Sequence, residues 1–281
     1  MTRAYMSFGG GVQSTALAML SLTCDPRLLE VTNGRIPEMY LFADPGDERL
    51  ATYQHVWEMA HLLTDEGFSF ITTYCGSLMS SLIGDAENGS NTVSIPFWVQ
   101  GPRGNPVPMR RGCTSTYKID EITKAAKKYF GVRRKNGYRG GYLDSPVELW
   151  LGISYDEVQR MKESKVQWNK IAHPLIDMRW TRGHCLEYLD SLGISAPRSS
   201  CVYCPFHGSK EWREVKAHPE DWGRVLALDR ALAEGFSQHG RMHGLKDRPF
   251  LTRHLQPIDT IDFTDYQLAL FDDECFGVCG V

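Results

Sequence analysis

The chain has 281 residues, of which 42% are hydrophobic and 23% charged, and a formal net charge of -3. That is enough apolar sequence for one large α/β domain, or a domain with an appendage, and it gives no global electrostatic reason to expect nucleic acid. The longest apolar stretches, such as TALAMLSL, fall far short of the roughly 20 residues of a membrane span, and no basic segment leads into a signal-peptide pattern. A soluble cytoplasmic protein is the expectation. Eight cysteines without a secretory signal argue for metal or redox chemistry where they cluster, rather than for a disulfide framework.

In chain order, RAYMSF (3–8), EMYLFA (38–43), FSFITTY (68–74) and ELWLGI (148–153) read as buried strands. STALAMLSL (14–22), ATYQHVWEMAHLL (51–63), IDEITKAAKKYF (119–130) and TRGHCLEYLDSL (181–192) read as helices, and a further helix is expected over 218–236. Alternation of strands and helices predicts an α/β fold with a mostly parallel sheet covered on both faces. The stretch 84–111 is rich in Gly, Pro, Asn and Ser and predicts a substrate flap. The expected division is a nucleotide-binding α/β domain over 1–200 and a cysteine-containing metal and substrate region over 201–281.

The stretch SFGGGVQST (7–15) follows a predicted strand and enters a predicted helix, so backbone N–H groups and the positive end of the helix dipole converge on one point. That point suits an anion. It is not a dinucleotide fingerprint, because Ser14 occupies the third glycine position, nor a Walker-type loop, which needs a later Gly-Lys. Another local feature is the run 124–139, with Lys124, Lys127, Lys128, Arg133, Arg134, Lys135 and Arg139 and no acid among them. Most such runs are solvated surface; the alternative is a docking site for a polyanion.

SFGGGVQST resembles the pyrophosphate loop of the ATP pyrophosphatase and phosphoadenylyl-sulfate (PAPS) reductase superfamily, usually S-G-G-x-D-S. Gly9 stands at its Ser, and Gln13 stands where an Asp is frequent. LFADPGDERLATYQHV resembles the family's D-T-G-x-E…T-Y segment and puts Asp44 at the end of a strand. RRGCTSTYKI resembles R-x-C-T…K-I, implying Arg111 and Lys118 as catalytic cations facing phosphate or sulfate. LGISYDEVQRMKES resembles G-I-R-x-x-E-S-x-R, matching Gly152, Glu157, Arg160 and Ser164. The resemblance implies a Rossmann-like sheet of the adenine nucleotide α-hydrolase type. It also implies nucleotide contacts from Ser7, Phe8, Gly9, Gly10, Gly11, Gln13, Ser14, Thr15, Asp44, Gly152, Glu157 and Arg160, with Mg²⁺ accompanying ATP.

In SSCVYCPF, Cys201 and Cys204 form a C-x-x-C, which supplies two metal ligands and leaves others to be found. The resemblance implies a four-iron cluster with Cys113 as a third ligand and no match for the fourth, for which the tail Cys279 or Cys275 is the candidate; a zinc site of Cys113, Cys201, Cys204 and His207, and no metal at all, are the alternatives. Reductases of this family also carry a nucleophilic cysteine near the C-terminus, a role that Cys275 partly matches.

The function expected is therefore adenylation of an acceptor by ATP with release of pyrophosphate, in support of sulfur transfer. The partners expected are a DNA or tRNA acceptor seated on 124–139, a sulfur donor, and a second copy of the chain. The alternatives are a PAPS or adenylyl-sulfate reductase that makes sulfite with a thioredoxin-like protein, and a non-catalytic module that binds nucleotide or metal.

Overall fold

A computed structural model describes residues 3–90, 95–239 and 247–264. From the N-terminus, β1 (Ala4–Ser7) passes through the glycine loop into α1 (Val12–Leu22), and α2 (Pro26–Thr32), β2 (Met39–Asp44), α3 (Leu50–Asp65) and β3 (Ser69–Tyr74) follow. Next come α4 (Leu78–Asn88), the short β4 (Trp98–Gln100) and β5 (Pro106–Pro108), and a π-helical turn over Ser115–Ile119 that runs into α5 (Asp120–Phe130). The chain continues through β6 (Val147–Leu151), β7 (Asn169–Ala172), α6 (Pro174–Asp177), α7 (Arg182–Ser191), α8 (Ser209–Ala217) and α9 (Pro219–His239). Local chemistry sets several starts. Asp25 caps α2 by accepting from the Arg27 N–H, with Pro26 in the first turn, and Thr181 caps α7 by accepting from the His184 N–H.

Five strands form one sheet in the order β3-β2-β1-β6-β7, every pair parallel. Side chains alternate across it. Ala4, Met6, Tyr40 and Phe42 face a cluster that holds Leu17 of α1, Val56 and Met59 of α3, and Leu189 of α7. Tyr5, Met39 and Leu41 turn the other way, against Ile122, Ala126 and Phe130 of α5. Apolar side chains on both faces are what a parallel sheet needs, and the result is an α/β fold with helices on each side.

The residues divide into two compact units. The first contains the five-stranded sheet and draws on the chain up to Asp44, Ala51–Tyr74 and Ile119–Ser199. The second takes Pro45–Leu50, Cys75–Lys118 and the chain from Ser200 onward. Its core gathers Leu82 of α4, Phe97, Tyr203, Trp212 of α8, Leu228 and Leu232 of α9, and Leu251. Within the expected flap, α4 extends to Asn88 and β4 pairs antiparallel with β5, while Ile95 and Phe97 are buried. The described part of 84–111 is thus anchored by apolar side chains, which its Gly and Pro content hides. No helix among the described residues is long and apolar enough to cross a membrane.

Candidate functional site

In the first unit, β1 lies at the centre of the sheet, with β2 on one side and β6 on the other. The chain leaves β1 at the point where successive crossovers turn in opposite directions, the place where open α/β sheets bind ligands. The Phe8 N–H donates to the Leu41 carbonyl at 2.8 Å, and the Phe8 ring is buried against Phe70. Only its backbone belongs to the loop surface. Gly10 has φ +71°, and a Cβ there would stand 2.8 Å from Val56 Cγ2, so the turn admits glycine alone. Gly11 caps α1 without a side chain, leaving first-turn N–H groups for a ligand.

The hydroxyls at the mouth turn inward. Ser14 Oγ donates to the Gly11 carbonyl at 2.9 Å and accepts from the Gly11 N–H at 3.1 Å. Thr15 Oγ1, fully buried, donates to the same carbonyl at 2.9 Å and lies 2.8 Å from His55 Nε2. With its proton committed, Thr15 accepts from Nε2–H, which sets the His55 tautomer. Burial pushes the His55 pKa below its ordinary value and keeps the ring neutral. Both hydroxyls are therefore engaged within the loop itself.

Gly152, after β6, brings its backbone against α1: a Cβ would meet Ser14 Cα and N at 2.9 Å. Beyond it, the Gln13 amide donates to Glu157 Oε2 at 3.2 Å and to Ser154 Oγ at 3.5 Å, while Gln13 Oε1 accepts from Arg182 Nη1 at 3.1 Å. Glu157 Oε1 accepts from Arg160 Nη1 at 2.6 Å. Gln13 and Glu157 thus link Ser154 and the guanidinium groups of Arg182 and Arg160 into one network. Asp44, at the end of β2, accepts from the Tyr53 hydroxyl at 2.7 Å. Mg²⁺ in nucleotide sites takes one or two carboxylates plus substrate phosphates; here Glu157 already accepts at both oxygens, from Gln13 and Arg160, and Asp44 accepts from Tyr53.

No protein-family model matches this chain, and no curated protein matches it.

The second unit holds the remaining candidates. Cys201 pairs in an antiparallel bridge with Glu48, whose fully buried carboxylate accepts from Lys118 Nζ at 2.7 Å. Burial works against the Lys118 charge, but Glu48 outweighs it and holds the ammonium pKa above its ordinary value. Burial also pushes the Cys201 thiol well up, and Glu48 adds to this, so Cys201 stands protonated at neutral pH. Arg111 packs over the Phe206 ring at 6.0 Å. Lys118 is thus paired with Glu48 at one oxygen.

The Cys204 N–H donates to the Cys201 carbonyl at 3.0 Å, giving a tight C-x-x-C turn, and His207 Nε2–H donates to the same carbonyl at 3.0 Å. That bond removes one ring nitrogen from metal binding. Cys113 and Cys201 are both half-buried beside the second core. Among the described residues no three His, Cys, Asp or Glu side chains are placed to hold a metal ion together. The tail residues Cys275 and Cys279 lie outside the described residues.

Sequence reasoning missed Arg182, Ser154 and His55. Thr181 and the helical pattern that follows mark the start of α7, but nothing local says that Arg182 reaches a glutamine 169 positions away.

Proposed function

We propose that this chain is a nucleotide-binding enzyme of the pyrophosphate-loop type, with a Rossmann-like sheet of the adenine nucleotide α-hydrolase kind. The observation that carries this reading is the glycine turn at Gly9–Gly11. It follows the central strand of a parallel sheet and opens a helix without a side-chain cap, whose first turn packs on Gly152. Strand order, backbone donors and the adjacent carboxylate agree with the order of segments that resembles the PAPS reductase and ATP pyrophosphatase families.

The residues then take the following parts. N–H groups of the loop and of the first turn of α1 bind the outer phosphates of ATP. An acceptor oxygen attacks the α phosphorus, the bond to the β-phosphate oxygen breaks, and pyrophosphate departs carrying the charge that these donors stabilise. Arg182 and Arg160 add cationic charge at the rim, and Gln13 holds Glu157 in place. Mg²⁺ bound with the nucleotide would supply further charge neutralisation. A thiolate or sulfide then attacks the activated carbon of the acceptor, so that a C–S bond forms as the C–O bond breaks and AMP leaves with that oxygen, and a nucleic acid is the acceptor that the basic run 124–139 suits. An iron–sulfur cluster needs ligands beyond the described cysteines; metal analysis of anaerobically purified protein addresses it directly.

The test is to incubate anaerobic protein with ATP, and separately with PAPS plus thioredoxin, assaying pyrophosphate and sulfite. Pyrophosphate from ATP supports the reading. Sulfite from PAPS without pyrophosphate from ATP overturns it in favour of a reductase, and neither product, with nucleotide bound, makes the chain a non-catalytic module.

A further inference from the structure

The chain that follows α5 returns on itself. The Arg133 N–H donates to the Tyr142 carbonyl at 3.0 Å, and the Tyr142 N–H donates to the Arg133 carbonyl at 2.9 Å, closing a hairpin. Tyr138 and Tyr142 meet edge to face at 4.8 Å, and Lys135 Nζ sits 4.6 Å and 3.8 Å from their ring centroids. The basic run is therefore a built structure and not a frayed tail. Between the hairpin and the end of α5 lies a cavity of about 650 Å³, lined by Lys127, Arg133, Arg134, Lys135 and Tyr138 among others, with no acidic residue in its wall.

The charge in this cavity is unbalanced. Arg133 has an exposed partner in Asp144, and Lys135 leans on the tyrosines. Lys127 and Arg134 form no ion pair among the described residues. Four cations around one concavity repel each other unless an anion enters. The chain as a whole carries net charge -3, so this concentration is local to the hairpin.

We propose that this cavity is a binding site for single-stranded nucleic acid, with the Lys127, Arg133, Arg134 and Lys135 cations on the phosphates. A concavity of nucleotide size that joins these cations to the Tyr138 ring is the combination that single-strand sites use, with phosphates on the cations and a base on the aromatic face. A flexible single strand can place successive phosphates inside it, and the exposed Lys128 and Arg139 lie on the same segment outside its wall, whereas Lys124 is paired with Glu121. The site rests on the reading above only in naming the class of acceptor. Binding here needs no ATP, so the two can fail separately.

The experiment uses the full chain without ATP and follows fluorescence anisotropy of a labelled single strand about a dozen nucleotides long, in DNA and RNA forms, between about 50 and about 200 mM salt. The wild type is expected to bind one or both, with affinity falling steeply as salt rises. Arg134→Glu is expected to weaken binding about tenfold or more and to flatten the salt slope by about 0.7, one phosphate contact on a single strand. Lys127→Gln on top of it is expected to weaken binding further. Melting temperature and ATP affinity of both variants should match the wild type, since Arg134 is exposed and neither residue touches the glycine loop. The proposal is overturned by no binding at the lowest salt, by binding that ignores both substitutions, by equal or tighter binding of a duplex, or by AMP competing as well as the strand itself.

Discussion

Two glycines, Gly9 of the loop and Gly152 after β6, differ in what they demand. A Cβ on Gly9 would have Ser14 Oγ at 3.8 Å as its nearest neighbour, an ordinary contact, whereas one on Gly152 would press into the backbone of α1 at 2.9 Å. Gly152→Ala should therefore lower the melting temperature by an overpacking cost of about 1–3 kcal/mol and weaken ATP binding, while Gly9→Ala leaves stability near the wild type. Thermal unfolding and nucleotide titration of the two variants check this; equal melting temperatures would refute the close approach. At this scale the sequence was partly legible. The glycine triplet marks a tight strand–helix turn, and Gly10, with φ +71° and Val56 close by, is the position that requires it. The inward turn of Ser14 and Thr15, and the reach of Arg182 to Gln13, depend on side-chain directions that local pattern does not encode.

The helices that flank the loop are held by specific contacts. His55 on α3 donates to Thr15 on α1, and burial lowers its pKa. A group with a lowered folded pKa binds fewer protons when folded than when unfolded, so stability rises with pH through its titration range. Its contribution is complete above the ordinary value of 6.5 and is lost as pH falls below it. His173, at the start of α6, is also lowered by burial and adds loss of the same sign. The wild type should melt lower at about pH 5.5 than at about pH 7.5, and His55→Gln should shrink that difference. A difference unchanged in the variant would contradict a neutral buried His55. Helix-favouring apolar stretches made α1, α3, α5 and α7 readable within a few residues, and α5 alone of these carries a strong apolar stripe. By contrast β7 is only Asn169–Ala172, with Lys170 exposed, and α4 contains Gly84, Asp85 and Asn88, whose types suggest a loop.

For the whole molecule, the boundary expected at 200 falls beside the break at Ser199–Ser200, but the second unit also recruits Pro45–Leu50 and Cys75–Lys118 from earlier in the chain. A linear reading has no means to assign such short segments, since their partners are distant: Lys118 meets Glu48 across 70 positions. The parallel order β3-β2-β1-β6-β7 was likewise beyond periodicity, which gives strands without neighbours. The central claim is that nucleotide phosphates sit on the glycine loop of the first unit. Hydrogen–deuterium exchange of the full chain with and without ATP and Mg²⁺ reads this directly. The account predicts slowed exchange in the peptides covering Phe8–Thr15 and Gly152–Arg160 on nucleotide addition. Saturating ATP that leaves the Phe8–Thr15 amides unprotected would contradict it.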